Sequence, residues 1–227
     1  MTAPKIYRKI LCIPDIHFPY ANYEAIKQIY AWKKKHKPDL VIFLGDITDS
    51  KAWSKYSKDP DDDSPQTEFD RAEADMKQLH KMFPKAICLI GNHDVRPMSK
   101  ALEAGLPRQL INSLDKVFAY PGWEWHISNK PFVAHVPDAK IAFIHGDESK
   151  GTPGQKASKL GMSVVQGHTH QASLEYITTF NHRVFGIECG HVADLESKGM
   201  KYAAKNPTSC TTCFVSIIDG IPQIHPL

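Results

Sequence analysis

The chain has 227 residues, of which 42% are hydrophobic and 23% charged, with a formal net charge of +3. This balance suits a soluble chain that buries a substantial core, and it excludes disordered and collagen-like classes. The charge is too weakly basic to argue nucleic-acid binding from bulk electrostatics, although it permits a phosphorylated substrate.

The N-terminal stretch MTAPKIYRKILCIP has no long apolar core. No window reaches the ~18 apolar residues of a membrane span, so no membrane association is expected and the expected location is the cytoplasm. Five cysteines, Cys12, Cys88, Cys189, Cys210 and Cys213, are an odd number and read as reduced thiols. The C-x-x-C pair Cys210/Cys213 has no second pair to complete a zinc site and is read as structural.

In chain order, Ile6 to Ile13 is apolar and β-prone and is broken by Pro14. Ala21 to Lys37 has helical spacing and a basic last turn, stopped by Pro38. Leu40 to Leu44 reads as a second strand ended by Gly45. The polar run WSKYSKDPDDDSPQ comes next; it lacks the Gly and terminal Glu of a calcium loop and reads as an exposed loop. Ser64-Pro65 opens a helix carrying Phe69, Met76, Leu79, Met82 and Phe83, and Ala86 to Ile90 forms a third strand. This β-α-β-α-β order favours a mostly parallel sheet.

Further along, the pattern predicts a short helix near Met98 to Ala104 and strand-like pieces at Val117 to Tyr120, Trp123 to Ile127 and Phe132 to Val136. Ile141 to Ile144 is an apolar strand, GTPGQKASKLG a turn and short helix, and Met162 to Val165 another strand. Strands are expected at Leu174 to Thr179, Val184 to Ile187 and Cys213 to Ile218. With no linker or internal repeat, residues 1–227 are expected to form one domain.

Five β-like segments end in clusters of Asp, Asn and His: Asp15-x-His17, Gly45-Asp46-x-x-Asp49, Gly91-Asn92-His93-Asp94, His145-Gly-Asp147 and Gly167-His168-x-His170. Each alone has an ordinary reading as turn chemistry. Together they matter, because the carboxyl ends of parallel strands share one edge, where ligands bind. Converging Asp and His without Cys suits Mn, Fe, Zn, Co or Ni rather than a thiolate zinc site. The donors Asp15, His17, Asp46, Asn92, His145, His168 and His170 are too many for one tetrahedral ion and about right for two divalent ions, with Mn the first expectation.

These motifs, in this order and at these spacings from Asp15 to His170, resemble the calcineurin-like metallophosphoesterase superfamily. The GNHDVR and GHTH forms look similar to stand-alone members encoded by phages and bacteria, so the cytoplasm could be that of a phage's host. The resemblance implies an α/β fold, a four-layered α/β/β/α sandwich of two mixed sheets flanked by helices. It implies that Asp15, His17 and His170 hold one metal and Asn92, His145 and His168 a second, with Asp46 bridging. His93 would face the substrate and Asp49 would orient it.

Two such ions lower the pKa of a water held between them, so hydroxide is available near neutral pH to attack a phosphoester. His93, paired with the Asp49 carboxylate, is the natural acid for the leaving oxygen. Protein serine/threonine phosphatases continue the G-D-x-x-D motif with Arg-Gly, whereas Ser50-Lys51 stand here. Arg96 is the candidate replacement grip on substrate. The first substrate reading is a phosphodiester or phosphomonoester in a nucleotide or short oligonucleotide. The alternatives are a protein or small-molecule phosphomonoesterase and a non-catalytic scaffold of the same fold. His191 is a candidate for the site's surroundings, and Gly151-Thr-Pro-Gly154 reads as plain turn chemistry.

Overall fold

The computed structural model describes residues 4–55, 59–127, 130–147, 150–178, 182–197, 200 and 210–227. The first half runs β1 (Lys9–Ile13), α1 (Tyr23–His36), β2 (Leu40–Phe43), α2 (Pro65–Met82), β3 (Ala86–Leu89), α3 (Arg96–Glu103), α4 (Leu114–Val117) and β4 (Trp123–His126). The second half runs β5 (Phe132–Val136), β6 (Ala139–Ile144), α5 (Pro153–Leu160), β7 (Ser163–Gln166), β8 (Ala172–Thr178), β9 (Arg183–Cys189), β10 (Cys213–Ile218) and β11 (Ile221–Pro226).

The helices begin where local chemistry directs. The Asn22 side chain accepts from Ala25 N at 3.0 Å to cap α1, whose last turn carries Lys33, Lys34, Lys35 and His36 against the helix dipole. Ser64 caps α2 ahead of Pro65, and Thr152 with Gln155 forms a reciprocal capping box at α5.

Two mixed sheets result, ordered β11-β10-β1-β2-β3-β4 and β5-β6-β7-β9-β8. In the first, β1, β2, β3 and β4 are mutually parallel, and β10 and β11 are added antiparallel. In the second, β6, β7 and β9 are parallel, flanked by antiparallel β5 and β8. Alternation along β1 shows how the sheets stack. Ile10 and Cys12 join a buried cluster with Ile42, Phe143, Val165, Ile187 and Val215 between the sheets. Leu11 and Ile13 point the other way, into a cluster with Ile29 of α1 and Met76 and Leu79 of α2. The second sheet's outer face receives α5 through Ala142, Ala157, Val164 and Val184. The fold is therefore α/β/β/α, and strands covered on both faces explain their continuous apolar runs.

Differences from the sequence-based expectations have local causes. The segment expected as a strand at Val117 to Tyr120 is instead the end of α4 and a turn, its rings packed on one another and on β4, Phe118 stacked on Trp125 and Tyr120 edge-on to Trp123. Tyr120 lies 5.3 Å from Trp123 and Phe118 lies 6.3 Å from Trp125, centroid to centroid. Strand β11 escaped notice because it contains Pro222 and Pro226, which an edge strand tolerates. The first strand starts only at Lys9; Ile6 makes an isolated bridge to His135. The strand expected from Leu174 begins at Ala172, and Thr179 lies outside the described residues. No helix among the described residues is long and apolar enough to cross a membrane.

Gly186 on β9 lies directly under the start of α5, where an added Cβ would collide with the backbone of Pro153 and Gly154. Gly186→Ala is expected to lift α5 from the sheet and lower unfolding stability by about 1–3 kcal/mol, as overpacking does. Urea denaturation checks this; an unchanged midpoint would mean that α5 contributes nothing to this interface.

Candidate metal centre

Six parallel strands deliver polar residues to one edge. From the first sheet, β1 leads to Asp15 and His17, β2 to Asp46 and Asp49, and β3 to Asn92 and His93. From the second, β6 leads to His145, β7 to His168 and His170, and β9 to His191. The five motifs thus meet from two facing sheets, where sequence order alone had pointed to the edge of one.

The loops that carry them are tightly wound. Asp15, His17, Asp46, His168 and His170 all have positive φ, which non-glycine residues rarely adopt and which concentrates at functional sites. Backbone bonds hold these turns: His17 N donates to Asp46 O at 2.9 Å, Val192 N to Asp15 O at 3.0 Å and Gly167 N to His145 O at 3.0 Å. Gly45 is required for a spatial reason as well as for its φ of +94°, since a Cβ there would lie 2.7 Å from His145 Nδ1 and 2.8 Å from Gly91 N.

Three groups of donor atoms form among the described residues, one of them His17, Asp49 and His93. Asp15, His17 and His170 offer one ligand atom each within 4.8 Å of one another, and so do Asp46, His145 and His168. His17 Nε2 and His170 Nε2 are 3.1 Å apart, and His170 Nε2 lies 3.6 Å from Asp15 Oδ1. Asp46 Oδ2 lies 3.3 Å from His145 Nε2 and 3.9 Å from both His17 Nε2 and His93 Nε2, so this one oxygen stands between the groups. Asn92 Oδ1 is 3.1 Å from His145 Nε2. Every metal ligand named from the sequence is therefore brought to this edge.

Hydrogen bonds behind the rings set which nitrogen faces inward. His145 Nδ1 is 2.9 Å from Leu44 O, and as it must donate there, Nε2 is the inward lone pair of the neutral ring. His17 Nδ1 lies 2.9 Å from Asp49 Oδ1, the carboxylate–histidine arrangement that orients metal-binding imidazoles. Asp15 accepts from His168 N at 3.0 and 3.1 Å, tying the two sheets together.

Electrostatics at this edge is set by packing charges and imidazoles out of water. Burial pushes Asp15 well above the usual carboxylate range, with His145 opposing. Burial has the same tendency at Asp46, yet His145, His93 and His17 reverse it and hold the group well below that range. Burial, then His17 and His191, push His170 down to about 2. Burial opposes a charge on His145, but Asp46 outweighs it and raises the ring to about 10. A proton on Nε2 then fills the space facing Asp46 Oδ2. This is the observation that tests metal fit: with the His145 ring neutral, Asp46 Oδ2, His145 Nε2 and Asn92 Oδ1 converge as acceptors, an arrangement that a bound cation satisfies. The Asp, Asn and His set, free of thiolate, fits divalent metal ions.

His93 faces Asp46 from the side. Its Nδ1 is 2.8 Å from Asp49 Oδ1 and 2.9 Å from Asp49 O. Arg96 donates from Nη1 to Asp49 O at 3.1 Å and from Nη2 to His93 Nε2 at 2.7 Å. Burial lowers the His93 pKa while Asp46 and Asp49 raise it further than burial lowers it. A guanidinium cannot accept a hydrogen bond, so in this arrangement Nε2 is the acceptor and the ring is neutral.

Three features escaped sequence-based reasoning. Asp49 serves His17 as well as His93, and Arg96 touches His93 directly. Asp94 accepts from Thr48 N at 2.8 Å, Thr48 Oγ1 at 2.9 Å and Gly91 N at 2.9 Å, clamping the second and third motifs together. Its place in Gly-Asn-His-Asp was the available signal for that clamp. His191 is fully buried with its ring centroid 5.3 Å from that of His170. Among the described residues Cys210 and Cys213 belong to none of the donor groups; Cys213 Sγ donates to Cys189 O at 3.0 Å.

The family model for calcineurin-like phosphoesterases matches residues 8–191. Among solved structures, the chain is similar to the phosphoesterase Yfce from E. coli, with 13% identity, a TM-score of 0.47 and coverage of 92% of this chain and 87% of that one. It is also similar to vacuolar protein sorting 29 from Cryptosporidium parvum, with 16% identity, a TM-score of 0.49 and 97% of each chain covered. A metallophosphoesterase from Sphaerobacter thermophilus aligns at 14% identity and a TM-score of 0.44, covering 97% of this chain and 88% of that one. No curated protein matches the sequence.

The Asp94 clamp yields a prediction. Asp94→Ala leaves three buried donors unpaired, which is expected to cost about 1–3 kcal/mol of stability. By loosening the loops that present Asp46 and Asn92 it is expected to weaken Mn affinity roughly tenfold. Calorimetric titration with MnCl2 measures the second effect, and wild-type affinity in a folded variant would show that the clamp does not position the donors.

Proposed function

The chain belongs to the calcineurin-like phosphoesterase family, and from that premise we propose that it hydrolyses phosphate esters using two divalent metal ions, with Mn the first choice. Asp15, His17 and His170 would hold one ion, and Asn92, His145 and His168 the other, with Asp46 shared. The observation that carries this reading is Asp46 Oδ2 facing His145 Nε2 at 3.3 Å and His17 and His93 at 3.9 Å, all buried. Bound ions supply Lewis-acid polarisation of the phosphoryl oxygens and acidification of water.

The chain's own residues handle the leaving group. Asp49 holds His93 by Nδ1, so Nε2 is directed at the space beside Asp46. A proton carried at Nε2 would pass to the ester oxygen as it leaves. Arg96 occupies Nε2 in the present arrangement; an arriving phosphate is a stronger partner for a guanidinium than a neutral imidazole. Arg96 would turn to the substrate anion, freeing Nε2 to take up its proton with the Asp46 and Asp49 carboxylates favouring it. Arg96 thereby couples substrate arrival to the acid form of His93.

The proposed substrate is a phosphodiester or phosphomonoester of a nucleotide or short oligonucleotide. The residues after Asp49, Ser50 and Lys51, support a diester over a phosphoprotein, because no Arg stands where phosphoprotein phosphatases place one.

The Mn-loaded protein is expected to hydrolyse bis-p-nitrophenyl phosphate faster than p-nitrophenyl phosphate. Hydrolysis of neither, with two equivalents of metal bound, would overturn the enzyme reading and leave a scaffold; faster monoester turnover would overturn the diester preference. His93→Ala is expected to lower kcat roughly 10²–10⁴-fold with metal content unchanged. Asp46→Ala is expected to lose metal at both sites. Metal analysis beside steady-state rates separates the two, and metal loss in His93→Ala would refute its assignment as the acid.

A further inference from the structure

Two clefts flank α3, and they differ in charge. The one between α2, α3 and α4 is lined mainly by apolar residues with Glu68 and Asp94, and no Lys or Arg is among its described lining residues. The other, a cleft of about 680 Å³, begins at Gly91 and His145 of the metal centre and runs out along α5. Among the described residues, Lys130, Lys150, Lys156 and Lys159 line it, with Asp147 the carboxylate. Its remaining surface is largely apolar and includes Ile90, Met98, Ile127 and Leu160.

The lysines have different tasks. Lys156 is buried, and its Nζ donates to Gln166 Oε1 at 2.8 Å and Gly146 O at 3.3 Å. It thereby fixes α5 against the loop that carries His145. Lys159 and Leu160, three and four residues on, succeed Lys156 along the cleft side of the helix. Lys150 and Lys159 are exposed, and so are the apolar Ile127 and Leu160 that line the same cleft.

A single scissile phosphate would be served by the metal centre and Arg96, leaving these charges without a substrate group. Ammonium groups over an apolar floor suit a chain that alternates phosphates with flat organic faces. A duplex keeps its bases stacked inside and could not use the floor. We propose that this cleft is a binding track for single-stranded oligonucleotide, with Lys150 and Lys159 contacting phosphates beyond the one that is cleaved. The proposal rests on the phosphoesterase reading above and names its substrate class.

The test separates the two. Fluorescein-labelled oligothymidylate is titrated with metal-free protein in EDTA at several salt concentrations, and Mn-dependent hydrolysis of bis-p-nitrophenyl phosphate is measured in parallel. Lys150→Ala/Lys159→Ala is expected to weaken oligothymidylate binding about tenfold and to reduce the slope of log K against log salt by about 1.4, the contribution of two phosphate contacts on a single strand. Its bis-p-nitrophenyl phosphate rate should stay within about twofold of wild type, because that ester has no flanking phosphate for the rim lysines to screen or attract. Lys150→Arg/Lys159→Arg should restore the slope, and Lys27→Ala/Lys34→Ala on α1 should leave it unchanged. Unaltered binding and slope in the first variant, or an equal loss in the α1 variant, would overturn the track. Inorganic polyphosphate competing as strongly as unlabelled oligothymidylate, phosphate for phosphate, would overturn the nucleic-acid assignment. Wild type that fails on bis-p-nitrophenyl phosphate would instead refute the phosphoesterase reading, whatever the binding data show.

Discussion

A carboxylate with almost no exposure, Asp46, is surrounded by three imidazoles, of which His145 also lies 3.1 Å from Asn92 Oδ1. Taking an ionised carboxyl out of water costs several kcal/mol unless countercharge accompanies it. In the protein alone that countercharge is a proton on His145, a ring that burial would otherwise keep neutral. Every other feature of this edge depends on holding acceptor atoms closer than they would choose. Backbone donors do part of the work: His93 N donates to Asp46 Oδ1 at 2.8 Å, leaving Oδ2 for the interior of the site.

The strain is local and the restraint is not. Five donor residues sit at positive φ, each costing about 1–3 kcal/mol in such a conformation. That cost is sustained because the turns leave strands whose two faces are both packed, one on the other sheet and one on helices. Bonds that cross between sheets, from His168 N to Asp15 and from the His145 ring to Leu44 O, register the two halves of the donor set. A sheet slip of one residue would send Ile10 and Cys12 to the helix side and Asp15 away from His170, so core and site specify the same register.

Much of this could be read from residue order. The strand β2 and the Gly45-Asp46 turn were legible because a buried strand is an unbroken apolar run and a tight turn needs glycine. The approach of His145 to Asp46 was visible only through motif resemblance, since nothing local in Ile141 to Ile144 states which sheet it joins. Periodicity misread Val117 to Tyr120, whose aromatic residues pack against each other and α2, and it passed over β11, whose prolines are admissible only at an edge. The Arg96–His93 contact depends on how α3 leaves the third motif, a backbone direction that spacing does not encode. Asp94 was visible within its motif without a task, because the partner that reveals its task, Thr48, is forty-six residues away.

The position of α3 links these observations. None of its residues is fully buried, and Met98 packs it against the core between the first sheet and its helices. Arg96 opens it and touches His93, while Met98 lines both flanking clefts. Because metal ions would stabilise any phosphoryl group alike, discrimination among esters has to come from outside the donor set. The residues placed to provide it are those of α3 and the two clefts it separates, one apolar with Glu68 and one rimmed by lysines.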